Sequence, residues 1–419
     1  MIQTGPNRDL RVDFFRGVAL WWIFMDHIPG NWLAQISLRN YALCDATEIF
    51  VLLAGYAAAI AYGRSYDRNG WLFAGADVLR RAWILYIAHI FLFVVFAAQV
   101  SYSATALDRA DYLDEIHLDV LADAPYRAML QALLLTFQPA YLNILPMYVT
   151  LLAFFAFLLP LLRRPWVLGL VSFALYSAAR SFGWNLPSWT EGGWYFNPLC
   201  WQFLFVIGAI MSRHSLRPPV PTWVIDAAAI VIVIAGILLV WLVWPSDDYS
   251  AQIPRWLTKA LLLVDKEGMH PMLLLSILAL TWGVVRLVPF HARWLLQPWA
   301  KPFVLCGQHS LPVFCSGIAL SFFGRLVMEE QGSWGGQVAV NVVGPIALVG
   351  VGALSAWYRD KGRIARAIER PGVTLFEDAP AAAGAPQVDG IRNTIMLEIP
   401  PRPTPDLPKV SQTGNAKVT

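Results

Sequence analysis

Long runs of apolar residues alternate with short polar stretches along most of this 419-residue chain. About 20 consecutive apolar residues are enough for a helix to cross the hydrocarbon core of a bilayer. The pattern therefore predicts an all-α polytopic membrane protein with about ten transmembrane helices. The predicted spans are 12–34, 45–63, 79–100, 141–162, 165–182, 198–213, 221–244, 270–289, 302–326 and 336–357.

Three other segments do not fit the pattern of a span. The apolar segments 126–138 and 288–300 are too short to cross a bilayer, and we expect them to form interfacial helices. Residues 361–419 are rich in Pro and Ala and have little periodicity. This composition predicts a disordered cytoplasmic tail that follows a membrane domain of residues 1–360.

The distribution of charge predicts the orientation of the spans. Lys and Arg recur in every second connection, whereas the alternate connections contain fewer cations and include the acidic segment 108–123. Cytoplasmic loops of membrane proteins carry the excess of Lys and Arg. With an even number of spans, this bias predicts that the N-terminus and the C-terminus both lie in the cytoplasm.

The composition narrows the class of protein further. Apolar residues make up 57% of the chain, charged residues 14%, and the mean hydropathy is +0.52. A soluble protein normally has about 25% charged residues. The net charge of +3 comes without a basic stripe, so we expect no nucleic-acid partner. The four cysteines have no paired or metal-ligand spacing, so we expect no metal site and no bound cofactor.

The first predicted span carries polar residues that are costly inside a membrane and often mark a functional path. Arg16 and His27 are eleven positions apart, so they share one helical face at about 16 Å along the axis. Asp13 is three positions before Arg16, and we expect the two side chains to pair at the cytoplasmic edge.

His27 is the predicted general base of this span, because imidazole titrates near neutral pH. Glu48 lies in the second span at a comparable depth, and we expect its carboxylate to orient the other nitrogen of His27. Asp26 is the second candidate catalytic carboxylate, although it is turned about 100° from His27 on the helix. The alternative is a structural histidine that is held by hydrogen bonds.

Several polar side chains are candidates for binding a sugar or an acyl group. Asn197, Trp201 and Gln202 combine an aromatic ring with amides, which suits the apolar faces and hydroxyls of sugars. An interfacial aromatic anchor is the alternative for this segment. The remaining candidates are Asn143 and Tyr148 beside a helix-interrupting proline, and His309 in a polar patch of span 9.

Lys259 and Lys266 lie in a connection on the side where positive charge is otherwise sparse. Cations at this place suit the carboxylate of an acidic acyl group. The alternative for Lys266 is a surface ion pair with the neighbouring Asp265 or Glu267, which would contribute little to stability.

Five segments of the chain carry a family resemblance. The segment RVDFFRGVALWWIFMDH resembles the opening of membrane acyltransferases of family 3, in which ten residues separate a basic residue from a histidine. DATEIFVLLAGYAAA is similar to the segment of that superfamily that contains an acidic residue. The chain resembles the OpgC branch more closely, through DATEIFVLLAGY, NILPMYVTLL, GGWYFNPLCWQFLFVIGA and DKEGMHPMLLLSILAL. The resemblance covers roughly residues 8–358.

The resemblance implies an O-acyltransferase of the bacterial inner membrane, typically one that succinylates osmoregulated periplasmic glucans. Acyl-CoA, with succinyl-CoA as the first choice, would be the co-substrate from the cytoplasm. By the resemblance, His27 takes the catalytic position and Arg16 the signature basic position, whereas Ala54 replaces a serine of the wider superfamily. The expected donor-binding residues are Arg16, Asp13, Arg80 and Arg81. The expected partners are acyl-CoA, a periplasmic glucan or other glycan, the lipid bilayer and glucan-synthesis proteins.

Two other classes of protein are alternatives to an enzyme. Intramembrane Arg and His also suit a proton-coupled transporter or a flippase for a glycan or an anion. Transporters often have repeated halves, and the sequence contains no internal repeat. A scaffold for a glucan synthase complex is the third class, but it would give His27 no role.

Overall fold

The fold is described from a computed structural model, for residues 8–189, 192–214, 220–243, 264–331 and 334–368. The described part is α-helical and contains no strand, which confirms the predicted all-α class. The α-helices are α1 (Leu10–Asp26), α2 (Ala46–Ala106), α3 (Asp111–Ile116), α4 (Asp119–Asp123), α5 (Pro125–Leu133), α6 (Ile144–Leu158), α7 (Pro165–Phe182), α8 (Pro198–Arg213), α9 (Thr222–Val243), α10 (Pro271–Leu287), α11 (Lys301–Gln308), α12 (Ser310–Gln331) and α13 (Trp334–Ile368). Short 3-10 helices cover Trp32–Ile36, Leu38–Asn40, Leu159–Arg163 and Arg293–Leu296.

Five of the described helices are long and apolar enough to cross a membrane, and two shorter apolar helices accompany them. These helices support a membrane protein. A helix is present at each of the ten segments that the sequence predicts as spans. Ten crossings and two cytoplasmic termini remain predictions. Most of the predicted tail, residues 369–419, lies outside the described residues.

The long helix α2 consists of two helices that reverse direction at Gly70. The backbone of Gly70 is non-helical, with φ 81° and ψ 178°. The hydroxyl of Ser65 donates a 2.8 Å hydrogen bond to the carboxylate of Asp77. These residues would be about 18 Å apart along a straight helix, so the chain must turn sharply between them. The two halves correspond to the predicted spans 45–63 and 79–100.

Two predicted spans have different boundaries in the structure. The first helix ends at Asp26 rather than at residue 34. Pro29 follows three residues later and Gly30 has a φ of 71°, so the chain leaves the helix and enters the 3-10 segments. The predicted span 302–326 is broken at His309, which separates α11 from α12 with a non-helical backbone.

Glycines allow two pairs of helices to touch at their backbones. At Gly17 of α1, an added Cβ would overlap the carbonyl of Phe303 in α11, and Gly307 of α11 lies equally close to the carbonyl of Asp13. The same contact joins Gly55 of α2 to the carbonyl of Phe205 in α8. Small residues are typical of close helix crossings in membranes. These crossings fix α1 and the first half of α2, which carry the polar residues discussed below.

We expect Gly55→Ala to destabilise the protein by about 2 kcal/mol, because the added methyl group overpacks the α2–α8 crossing. Thermal unfolding of the detergent-solubilised protein measures the loss. Gly283→Ala is the control, since nothing lies within 4 Å of the position its Cβ would take in α10. Its stability should be unchanged or slightly higher, because alanine is the better helix former. Equal unfolding temperatures for the two variants would contradict the close crossing.

Candidate functional site

A cavity of about 1610 Å³ lies where the end of α1, the start of α2 and the segment before α6 meet. Polar and charged side chains line it together with aromatic rings. Four of the sequence-predicted site residues lie on its wall, namely Asp26, His27, Asn143 and Lys266. The structure therefore brings one part of the predicted site together around a single space.

His27 follows the last residue of α1 and lies on the cavity wall. Its Nδ1 atom is buried and has no hydrogen-bond partner in the described structure. The imidazole packs edge-on against the ring of Tyr141, with 4.6 Å between the ring centroids. An imidazole that is held by packing and lies on the wall of a cavity is suited to accept a proton from a bound hydroxyl.

Tyr141 is a residue that the sequence analysis did not assign to the site. Its φ of 71° is unusual for a residue other than glycine. The preceding Ala140 donates its N–H to the carbonyl of Ile116, at 3.0 Å, which anchors this backbone. Strained backbone conformations of this kind concentrate at functional sites. No feature of the sequence signals a positive φ at a tyrosine.

The predicted partnership of Glu48 with His27 is not formed. Oε2 of Glu48 accepts the backbone N–H of Asp45 at 2.8 Å, and Oε1 has no hydrogen-bond partner. The carboxylate of Asp45 in turn accepts the N–H of Thr47 at 2.7 Å. Glu48 thus completes a capping box at the start of α2, where it satisfies backbone N–H groups that have no partner within the helix.

Asp26 also has a structural contact. Its carboxylate accepts a 2.7 Å hydrogen bond from the hydroxyl of Ser37, which lies just before the second 3-10 helix. This bond ties the end of α1 to the segment that carries Arg39, and Arg39 also lines the cavity. Asp26 therefore shapes the cavity wall, and the described structure gives it no hydrogen bond to His27.

Lys266 forms an ion pair with Asp45, across 221 positions of the sequence. This contact excludes the alternative of a pair between Lys266 and its sequence neighbours, since Asp265 pairs with Arg180 at 3.1 Å. Burial would raise the pKa of Asp45, but the Lys266 ammonium and the hydrogen bonds to the carboxylate together lower that pKa below its usual range. Burial likewise opposes the charge on Lys266, and the Asp45 carboxylate nevertheless raises the pKa of that ammonium.

The two pKa shifts determine the pH range in which the ion pair stabilises the protein. The depressed pKa of Asp45 means that its contribution is complete above the unfolded value, near 3.9, and is lost as the pH falls towards 2. The raised pKa of Lys266 means that its contribution is complete below about pH 10 and is lost only at higher pH. The pair is therefore charged throughout the physiological range.

The predicted sugar-binding cluster is buried and supports the Lys266 loop. The indole N–H of Trp201, a fully buried residue, donates to the carbonyl of Lys266 at 3.0 Å. The backbone N–H of Asn197 donates to the carbonyl of Glu267 at 3.1 Å, and its side chain caps α8. Gln202 is buried and bonded to Ser172. These three side chains do not line the cavity.

The aromatic residues that do face the cavity are different ones. Trp189, Tyr195 and Trp241 lie on its wall together with Tyr41. Trp241 is 60% exposed and Tyr195 is 48% exposed. Tyr41 and Trp241 also neighbour each other, with 6.1 Å between their ring centroids. They come from three separate parts of the chain, with Trp189 and Tyr195 in the connection between α7 and α8, so local spacing in the sequence does not reveal the group.

A second polar group surrounds Arg16 and differs from the prediction. The guanidinium of Arg16 donates to the carbonyl of Leu53 at 2.9 Å. Asp13 pairs with Arg8 at 2.6 Å and accepts from Gln308 at 3.2 Å, so the predicted Asp13–Arg16 pair is replaced. A lone backbone carbonyl satisfies Arg16 only in part, because a guanidinium has five N–H donors.

The other predicted residues that the structure describes lie outside the cavity. Tyr148 packs between Phe50 and Phe205, and it is within electrostatic range of Arg16. Arg81 is also within range of Arg16, whereas Arg80 is exposed. The remaining two are His309, which contacts Arg359 at 3.0 Å, and Lys259, which lies outside the described residues.

No group of three or more metal-ligating side chains is present in the described ranges of the chain. The cavity itself offers an imidazole, carboxylates, two cations and aromatic rings. Such a set suits a polar substrate with hydroxyl groups and an anionic part.

We expect Lys266→Met and Asp45→Asn each to destabilise the protein by about 2 kcal/mol, since each leaves one charge without its partner in a partly buried place. Asn is chosen because it retains the N-cap oxygen. Thermal unfolding of both single variants and of the double variant measures the coupling. The double variant should lose less than the sum of the single losses. Strictly additive losses would contradict a direct ion pair.

Comparison with known proteins relates the chain to one family. A family model described as OpgC protein matches residues 8–360, which is most of the chain. No significant match was found among the curated proteins or the solved structures. The chain therefore belongs to the OpgC family, and this membership suggests a transferase role in the modification of glucans.

Proposed function

We propose that the protein is a transmembrane O-acyltransferase of the bacterial inner membrane, which moves a succinyl group from cytoplasmic succinyl-CoA to hydroxyls of a periplasmic glucan. The observation that carries the proposal is the position of His27. It lies on the wall of a large cavity lined by polar and aromatic side chains, at the end of the helix whose other half holds the partly buried Arg16.

The proposed reaction is a direct transfer at His27. The imidazole accepts the proton of a sugar hydroxyl, and the hydroxyl oxygen attacks the thioester carbonyl. The carbon–sulfur bond of the resulting tetrahedral intermediate then breaks. The proton passes from the imidazolium to the leaving thiolate, so the products are a glucan ester and free CoA. The edge-on contact with Tyr141 holds the imidazole in position for both proton transfers.

The donor would approach from the other end of α1. Arg81 and Arg8 each act electrostatically on Arg16, which is also within range of Tyr148. Positive side chains of this kind suit the phosphates of CoA. The phosphopantetheine arm is about 18–20 Å long on the scale of an extended backbone. This length slightly exceeds the axial distance of about 16 Å between Arg16 and His27. The thioester would therefore reach His27 while the nucleotide remains near Arg16.

The acceptor would enter the cavity from its aromatic side. Exposed rings of Trp241, Tyr195 and Tyr41 offer flat apolar faces on which sugar rings stack. Gln138 and Asn143 line the same space and offer amides to hydroxyl groups. Asn143 in particular has a buried Oδ1 without a hydrogen-bond partner, so a sugar hydroxyl would satisfy it.

We expect His27→Ala to reduce succinyl transfer by at least a hundredfold, because removal of a general base typically costs two to four orders of magnitude, about 10²–10⁴. The assay uses purified protein, labelled succinyl-CoA and a glucan acceptor, and it records both glucan labelling and CoA release. His291→Ala is the control, since His291 does not line the cavity. Unchanged CoA release in His27→Ala would contradict the mechanism, and glycan movement without CoA turnover would support a transporter instead.

We expect Trp241→Ala to raise the KM for glucan roughly tenfold at an unchanged kcat, because the loss of one stacking face weakens acceptor binding by about 1 kcal/mol or more. Trp223→Ala is the matched control: it lies on the same helix α9, is 69% exposed and does not line the cavity. Equal KM values for the two variants would show that the acceptor does not use this side of the cavity.

A further inference from the structure

The arginine and lysine side chains that line the cavity, among the residues the structure describes, are Arg39 and Lys266. Lys266 is engaged in the ion pair with Asp45. Arg39 is exposed, and it has no ion pair and no side-chain hydrogen bond within the described part of the chain. One cation of the cavity is therefore balanced by the protein itself, and the other is available to a ligand.

Arg39 is held close to His27 by the fold. The hydrogen bond between Asp26 and Ser37 closes the loop that follows α1. Arg39 comes two residues after Ser37, which places its backbone within about 7 Å of that bond. His27 comes directly after Asp26. Accordingly, the Arg39 guanidinium acts electrostatically on both Asp26 and His27.

The carboxylates on the cavity wall do not neutralise Arg39 by direct contact. The carboxylates that line the cavity are Asp26, Asp45, Asp119 and Glu267. Asp26 is bonded to Ser37, and Asp45 is bonded to Lys266 and to the backbone at the start of α2. None of the four forms an ion pair with Arg39 within 4.0 Å in the described structure. An anionic group that enters the cavity therefore finds Arg39 ready to bind it.

We propose that Arg39 binds the free carboxylate of a dicarboxylic acyl group whose thioester carbon is presented to His27, and so determines the selectivity for the acyl donor. A guanidinium binds a carboxylate through two parallel hydrogen bonds. In a succinyl group, three carbon–carbon bonds separate the carboxylate carbon from the thioester carbon, which is about 4 Å. This short reach requires the Arg39 guanidinium and the His27 imidazole to come close to each other on the cavity wall that both residues line.

The inference rests on the proposed acyl transfer and assigns the anion-binding role to Arg39 in place of Lys266, whereas the role of Lys259 stays a prediction. Lys259 and Lys266 were expected to hold the carboxylate. Lys266 is committed to Asp45, and Lys259 lies outside the described residues. Arg39 is the described cation that combines a place on the cavity wall, closeness to His27 and the absence of a partner in the described chain.

The test compares two four-carbon donors, succinyl-CoA and butyryl-CoA, in the wild type, Arg39→Gln and Arg39→Lys. In Arg39→Gln, kcat/KM for succinyl-CoA should fall about ten- to hundredfold, the usual effect of losing a hydrogen bond to a charged group. The value for butyryl-CoA should change less than threefold. Arg39→Lys should retain part of the preference, because it keeps the charge and loses the two-point contact.

Arg109→Gln is the control for a lost positive charge, since Arg109 is exposed, pairs with Asp111 and does not line the cavity. It should leave the ratio between the two donors unchanged. An equal fall for both donors in Arg39→Gln would overturn the inference and leave the proposed function standing. No transfer from either donor by the wild type would overturn the proposed function, and the inference with it.

Discussion

Backbone contact between helices is the constraint on which the rest of the structure depends. Gly17 and Gly307 let α1 and α11 touch, and Gly55 does the same for α2 and α8. Helices in a membrane gain little from the hydrophobic effect when they associate, so close packing must supply the attraction. The crossings hold α1 and the first half of α2 in fixed positions. The cavity forms where these two helices end and begin.

Polar groups inside the helical bundle are placed according to a second constraint, which is the cost of an unsatisfied polar atom. The Leu53 carbonyl accepts from Arg16, the capping box satisfies the start of α2, and Lys266 neutralises Asp45. Several buried polar atoms have no partner in the described structure, and those of His27 and Asn143 belong to residues that line the cavity. An unpartnered buried atom costs about 1–3 kcal/mol, which a bound hydroxyl would recover.

Features with a local cause were predictable from the sequence. Apolar run length located the helices. The single helical face shared by Arg16 and His27 stays a prediction, since His27 lies one residue beyond the end of α1. The capping box was also predictable from the sequence, because Asp45 and Glu48 have its three-residue spacing. Glu48 is instead predicted to contact His27, because the two polar residues lie at similar depths in neighbouring predicted helices.

Features that depend on contacts between distant segments were not predictable. The ion pair of Lys266 with Asp45 joins two connections that are far apart in the chain. Trp201 and Trp241 are both aromatic residues in apolar helices, yet one is fully buried beneath the Lys266 loop and the other faces the cavity. The two residues are of the same type and lie in similar apolar sequences, so only the packing of α8 and α9 determines which one is buried.

The central claim is that the donor and the acceptor reach His27 from opposite sides of the membrane. Proteoliposomes that contain the purified protein test this most directly, with succinyl-CoA enclosed in the lumen and glucan supplied only outside. We expect succinylated glucan outside while the released CoA stays in the lumen. Succinylated glucan that forms only when donor and acceptor share one compartment would contradict it.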